Sequence, residues 1–470
     1  MYQQRHLDAG PSPTCIERNA MKRKNNGTSF TRGRRRGPAL AVAVLLTGVL
    51  GLTACGSGSG AEKSAGDSGP VTLELWDTDT RPERTENLKK LISMFEEKNP
   101  SIKVNYLGLP TDSYMQKIST AIATKATPDI ITPKASDISA LVAQKALAPL
   151  DDKFQSGGWN DKISPAMTQS SKAAAPDGKL YLTPATSLAD VIYYRSDFYK
   201  NAGLSAPTSW DDFYAAADKL TDKSAGKFGY TLRGGNGFFS QFVQMVYPQA
   251  GVDKFFREDG TSTLDDPAVI AAAQDYVDLY GKDTAESDLT ADFKTMVAQF
   301  GAGGAAMLSH SIGSYPTHVA ALGADKIAAV APFPSKSGKS VLTGRMTTGF
   351  AMFEASKHKE AAWKFLEYTM STEGNSFWAQ KSGYLPGNLE VSKEAWVTDN
   401  PAMQTSIKAV DNKDAVVLEQ PFYLPEFNSI TTTDMLPDWQ RVLQNQLSVK
   451  DFLTQSAAKL TKAQQKYMKK

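Results

Sequence analysis

Gly66-Asp67-Ser68-Gly69-Pro70 has the residue types found around a trypsin-like serine nucleophile, where glycines free the backbone amides to hold an oxyanion. The histidine and aspartate that precede such a serine have no counterparts upstream, so the match carries no chemistry. Gly301-Ala302-Gly303-Gly304-Ala305-Ala306 fits Gly-x-Gly-x-x-Ala, but it follows a helical pattern and opens a strand, the reverse of a dinucleotide-binding turn. No phosphate-cradling Gly-x-x-x-x-Gly-Lys-Ser/Thr, zinc-binding His-Glu-x-x-His or Gly-x-Ser-x-Gly elbow occurs. His310 and His318 have no acid at ligand spacing, so no metal site is expected. Asp151-Asp152 and Asp211-Asp212 offer the paired carboxylates that glycoside hydrolysis uses, yet adjacent acids at helix starts read as caps or solvated pairs. The residues point to a non-enzyme with no cofactor.

Cys55 points to a different chemistry. Arg32, Arg34, Arg35 and Arg36 precede an uncharged apolar run from Pro38 to Leu52, the order of a signal peptide. That run falls short of the roughly 20 residues that span a bilayer as a permanent helix. It ends Leu52-Thr53-Ala54-Cys55, which resembles the bacterial lipobox, where small residues admit the signal peptidase and the thiol forms a thioether to diacylglycerol. Residues 1–54 are thus expected to be a lipoprotein signal peptide, with Met21 a more usual start than Met1. Residues 55–70, rich in Gly and Ser, form a tether with a reach of roughly 20 Å. Fatty acyl chains on Cys55, palmitate among them, would hold the protein on the extracytoplasmic face of the cell membrane without spanning it. Cys15 leaves with the signal and Cys55 takes the lipid, so neither of the 2 cysteines remains for a disulfide or a thiolate site.

The 470 residues suffice for several cores, and 41% hydrophobic with 22% charged residues is ordinary globular composition. Residues 1–54 hold nine basic against two acidic groups, which leaves the remainder 43 against 48, a charge of −5. A mildly acidic body without a basic block excludes nucleic acid as a partner.

Val71 to Trp76 alternates as a strand, and Leu88, Leu91, Ile92 and Phe95 recur at helical spacing. Ile102 to Leu107 and Asp129 to Ile131 read as further strands, with helices over 112–125 and 135–145. This alternation predicts an α/β unit with a mostly parallel sheet and a ligand crevice at the carboxyl ends of its strands. A second α/β unit is predicted from strands at 191–195, 228–232 and 305–308 and helices at 210–220, 238–247, 267–280 and 288–300. Helices over 357–370, from 372, and over about 431–447 and 448–469 complete the chain.

Several segments in this order, over about 71–470, resemble the extracellular solute-binding protein family 1 of carbohydrate ABC importers, the group that contains maltose-binding protein. They are the strand ending in Trp76, Asn99-Pro100-Ser101-Ile102-Lys103-Val104, Thr127-Pro128-Asp129-Ile130-Ile131, Ala146-Leu147-Ala148-Pro149-Leu150-Asp151-Asp152, Tyr193-Tyr194 with Asp197-Phe198-Tyr199, Gly304-Ala305-Ala306-Met307 and Glu360-Ala361-Ala362-Trp363. The resemblance implies a two-lobed type II periplasmic-binding-protein-like fold, each lobe a mostly parallel sheet flanked by helices, with ligand in the inter-lobe cleft. It divides the chain into an N-terminal lobe of 71–188 with 331–371 and a C-terminal lobe of 189–330 with 372–470. The passages between lobes then fall near Leu188 to Asp190, Val330 to Phe333 and Ser371 to Glu373.

Sugar recognition needs flat aromatic faces and planar polar groups that take adjacent hydroxyls. On that basis the resemblance implies ligand contacts from Trp76, Asp77 and Asp79 at the end of the first strand, Tyr114, Phe238 and Phe239, His310 and Ser311, and Arg345. Leu188 stands where many members carry an acid, with Asp190 the nearest carboxylate, and Pro133 and Ser136 depart from the maltose-binding pattern. The expected function is a lipid-anchored receptor, monomeric, that binds a carbohydrate, an oligosaccharide first, by hinge closure and passes it to the transmembrane permease subunits of an ABC importer. A receptor of this fold for a non-sugar solute, or a secreted glycoside-processing lipoprotein enzyme, are the alternatives.

Overall fold

The computed structural model describes residues 70–110, 113–344 and 346–469, all within one unit, Asp67–Lys470. The expected signal segment, Cys55 and Arg345 lie outside the described residues. Strand β1 (Val71–Asp77) buries Leu73, Leu75 and Asp77 and exposes Thr72 and Glu74, the period-two pattern of a half-buried strand. Helix Pro82–Lys98 follows, with proline in its first turn and Leu88, Leu91, Ile92 and Phe95 turned inward. Strand β2 (Ile102–Gly108), helix Tyr114–Thr124, strand β3 (Ile130–Thr132) and helix Ala135–Ala143 repeat the alternation. β1 lies between β2 and β3, parallel to both, so Asp77, Gly108 and Thr132 end side by side at one edge of the sheet.

The chain leaves this lobe through β4 (Thr186–Leu188) and enters the second after a single residue as β5 (Asp190–Arg195). With β6 (Phe228–Thr231), β7 (Ala305–Ser311) and β8 (Ile327–Val330) it forms a sheet of order β6-β7-β5-β8. Only β6 and β7 pair in parallel; β5 runs against both β7 and β8. A mostly parallel sheet therefore describes the first lobe and not the second. The reason is local: β5 arrives straight from the other lobe, without the helical crossover that parallel pairing requires.

β9 (Ser340–Thr343) is followed by β10 (Met346–Thr348), antiparallel to β4, and β11 (Ala351–Met352), which closes the first sheet antiparallel to β3. β12 (Leu385–Pro386) pairs on the other side of β4, and β13 (Ala415–Leu418) pairs with β9. Phe333 and Val341 pack in the second core, whereas Trp363 and Trp378 pack in the first beside Leu73 and Leu88. The side chains up to Val341 thus stay with the second core, beyond the passage expected at Val330 to Phe333. Helices Lys359–Met370 and Thr372–Ser382 pack on each other and stay with the first lobe, so the third passage follows β12 rather than Ser371 to Glu373.

The crossing is tightly made. A Cβ on Gly349 would collide with the Thr183 carbonyl oxygen, and one on Gly387 with that of Pro184, so only glycine lets the strands approach here. Buried Asn375 ties them together: its Nδ2 donates to Ala185 O at 2.6 Å and Thr369 O at 3.1 Å, and its Oδ1 accepts from Asn388 N at 3.1 Å.

Candidate functional site

Where the crossing meets the second lobe, a cavity of about 150 Å³ opens. Asp190 reaches it because it begins β5 immediately after the crossing, and the register sets it opposite Ser311 at the end of β7. Ser309 and His310 precede Ser311 on that strand, and Arg233 follows β6. Ser240, Gln241 and Gln244 come from one face of helix Phe238–Ala250. Phe293 opens helix Phe293–Gly301, whose start is fixed by Asp292 accepting from Thr295 N at 2.9 Å. Leu188 and Met346, paired across the crossing strands, and Thr343, Gly344 and Gln420 complete the wall.

Gln241 is the strut of this arrangement. Buried, it accepts from Arg233 N at 2.7 Å and Tyr276 Oη at 2.7 Å and donates to Ser309 O at 3.1 Å, which fixes the loop after β6 against β7. Its neighbours differ. Arg233 Nε, Gln244 Nε2 and Ser309 Oγ are buried with no hydrogen-bond partner among the described residues, although Arg233 Nη1 donates to Gly237 O at 3.1 Å. Buried polar groups are otherwise nearly always paired, so three unpaired on one cavity wall form a set ready to receive polar atoms. Burial pushes the Asp190 carboxyl up to about 6, with the charge of Arg233 opposing. Burial likewise lowers the Arg233 guanidinium, opposed by Asp190. Burial first, and the charge of Arg233 second, hold the His310 imidazole well below its ordinary value, so it is neutral near pH 7. Its Nδ1 lies 3.1 Å from Ser314 Oγ and its ring stacks on Phe293, centroids 6.2 Å apart. The Arg81 guanidinium, from the first lobe, lies 5.9 Å from the Phe293 ring centroid.

Of the sequence-predicted residues, His310 and Ser311 line this cavity. Phe238 and Phe239 do not: both are buried in the second core, Phe238 stacked on Trp439 at 5.2 Å and Phe239 on Phe242 at 6.0 Å. Their helix is buried nearly all round, so neither ring has a face for a ligand. Asp77 is fully buried and already engaged, accepting from Thr132 Oγ1 at 2.5 Å and pairing with Arg84 at 3.1 Å. Burial alone would raise the Asp79 carboxyl, but the hydrogen bonds and charge of Arg81 outweigh it and hold Asp79 below its usual range. Tyr114 is buried and donates to Asp137 Oδ2 at 2.8 Å. Trp76 stays half-buried on the first lobe, with Lys117 Nζ 5.0 Å over its ring, and is not part of the cavity wall.

Arg233, Gln244 and Phe293 were not singled out by the sequence. The available signal was a pair of glutamines three positions apart, Gln241 and Gln244, inside an otherwise apolar helix. Among the described residues, Asp190 is the carboxylate on the cavity wall. Among the described residues no cluster of metal-ligating side chains occurs, and no helix is long and apolar enough to cross a membrane.

The fold agrees with that of known relatives of the chain. It is 26% identical over 351 residues to a putative binding protein of Brucella abortus, covering 72% of this chain and 80% of that protein. It is 25% identical over 433 residues to the diacetylchitobiose binding protein DasA of Streptomyces coelicolor, covering 88% and 93%. The GacH receptor of Streptomyces glaucescens, solved unliganded and with acarbose, superposes with a TM-score of 0.71 at 21% identity over 84% of this chain and 98% of that one. The model of the bacterial extracellular solute-binding protein family matches residues 81–376, and the chain, a two-lobed α/β receptor in its fold, belongs to that family.

Proposed function

We propose that the protein is the lipid-anchored, extracellular substrate-binding component of an ABC importer, which captures a sugar between its lobes and delivers it to a membrane permease without catalysing a reaction. The observation that carries this reading is the cavity beside the crossing, where Asp190, Arg233, Gln244, Ser309 and His310 present hydrogen-bonding atoms next to the Phe293 ring. Hydroxyls both donate and accept, so a sugar satisfies such a mixed set, while its C–H face packs on an aromatic ring. The cavity is below the roughly 300–1,000 Å³ of drug-sized ligand pockets, so it houses one ring of an oligosaccharide whose remainder extends along the cleft. DasA, named for diacetylchitobiose, and GacH, solved with acarbose, support a saccharide ligand. Trp76 and Asp79 are retained as first-lobe contacts made on closure, and Arg345, between cavity residues Gly344 and Met346, as a further ligand-binding residue.

Calorimetry of the purified protein against mono- and oligosaccharides, peptides and organophosphates tests the capture. A saccharide binding with a heat signal that Arg233→Ala abolishes is the expected result; binding of peptides or phosphates alone would overturn it. For the anchor, cells grown with labelled palmitate should label the parent protein and not Cys55→Ser, and label retained by the variant would refute lipidation at that residue.

A further inference from the structure

Asn236 and Gly237 form an Asn-Gly step in the loop that runs from β6 past Arg233 to helix Phe238–Ala250. Asn236 is exposed, and among the described residues its carboxamide makes no hydrogen bond. The Gly237 N–H has no acceptor among them either, because it stands just ahead of the helix, where the first donors lack an intrahelical partner. Gly237 sits at φ 78° and ψ 15° and has no Cβ to shield its nitrogen. The nucleophile and the electrophile are thus neighbours in one chain, both unengaged. Once the Gly237 N–H gives its proton to hydroxide, the nitrogen can attack Asn236 Cγ. The N–Cγ bond forms, the Cγ–Nδ2 bond breaks and ammonia leaves, closing a succinimide ring. Water then opens the ring at either carbonyl, giving an aspartate or an isoaspartate whose main chain runs through Cβ.

Comparable steps elsewhere in the body are held back. Asp177 and Asp259 also precede glycine, but Asp177 accepts from Lys179 N at 3.2 Å and Tyr181 Oη at 2.9 Å, and Asp259 from Thr261 N at 2.9 Å and Thr261 Oγ1 at 2.6 Å. Asn160, Asn201 and Asn445 precede residues that carry a Cβ. The place of Asn236 also gives the reaction a consequence. Gly237 O accepts from Arg233 Nη1 at 3.1 Å, and Arg233 Nε is already without a partner among the described residues. An isoaspartate would add one main-chain atom immediately before that carbonyl.

We propose that Asn236 is a site of spontaneous deamidation, and that its isoaspartyl product breaks the contact that holds Arg233 on the cavity wall. The inference does not depend on which solute the protein binds.

The test holds the whole purified protein in warm, mildly alkaline buffer and maps its peptides by mass spectrometry, with isoaspartyl methyltransferase to label isoaspartate. Asn236 should convert about tenfold faster than any other asparagine of the body, and faster as the pH rises. Asn236→Gln, which would have to close a larger ring, should stay intact at that position. An Asn236 that ages no faster than the other asparagines would overturn the site. For the contact, the isoaspartyl fraction separated by ion exchange should melt below the fresh protein, while Asn236→Asp, with the same charge and an ordinary main chain, should melt like the parent. The drop on ageing should shrink in Arg233→Ala, where the contact is already gone. An isoaspartyl fraction that melts like Asn236→Asp, or an equal drop in Arg233→Ala, would overturn the effect on Arg233.

Discussion

Asp288 shows how much a single buried carboxyl shapes this protein. It is buried at 1% exposure, accepts from Leu232 N at 2.9 Å through Oδ2, and has no partner for Oδ1 among the described residues. Burial outweighs the hydrogen bonds and pushes it up to about 7. A carboxyl raised on folding costs nothing below its unfolded value, where both states hold the proton. The cost grows as the pH climbs from that value toward the folded one and is complete above it. Between pH 4 and 7, roughly, the protein should therefore lose stability through this residue, by at most about 4 kcal/mol. Asp288→Asn should remove that component, and the melting temperature of the variant followed against pH should fall less steeply than that of the parent; parallel curves would show that Asp288 ionises freely in the folded state.

At the scale of elements, the Asn375 clasp decides how the crossing strands are held. Asn375→Ala would strand Thr369 O and Asn388 N in a dry interior and leave Ala185 O with Gly387 N alone, and the loss should be about 3 kcal/mol in urea unfolding. A value near zero would mean that β12 holds its place without the clasp. The elements also explain what could be read from the chain alone. β1 and its helix were legible because alternation and helical spacing are local. The Phe238 helix was legible as a helix but not in its surroundings, since two phenylalanines at a helix start look the same whether they face a cleft or a core. Here Phe242, Val243 and Val246 are buried together with them, which marks that side of the helix as interior. Arg233, Gln244 and Phe293 were not legible as a site with Asp190, which the sequence marked only as the nearest carboxylate, because the four meet only through tertiary packing. That their polar atoms lack partners is a property of the folded wall and of no one segment.

Among the described residues, several polar contacts join the lobes, Ser139 Oγ donating to Tyr423 O at 2.5 Å among them. Asn428 Nδ2 donates to Asp137 Oδ1 at 3.2 Å, Tyr467 Oη donates to Pro176 O at 3.0 Å, and Arg81 lies over Phe293. Asp137 is itself buried, held by Tyr114 and by Lys134 N at 3.1 Å, so it is a fixed acceptor on the first lobe. Asn428→Ala removes one bond between the lobes and should weaken the binding of a ligand held by both of them about tenfold, the equivalent of roughly 1.4 kcal/mol. Calorimetry reads the affinity and small-angle scattering the radius of gyration, and an unchanged affinity would remove this contact from the closing step. Among the described residues the polar wall of the cavity belongs to the second lobe, with Leu188 and Met346 of the crossing strands beside it and Arg81 of the first lobe 5.9 Å from the Phe293 ring. Arrival and retention are thereby assigned to different halves of the molecule. The association rate constant should depend on Asp190 and Arg233 and be indifferent to Asn428, whereas the residence time should depend on both lobes. A receptor built this way is tuned for quick release by loosening contacts far from the sugar, with no alteration in what it recognises.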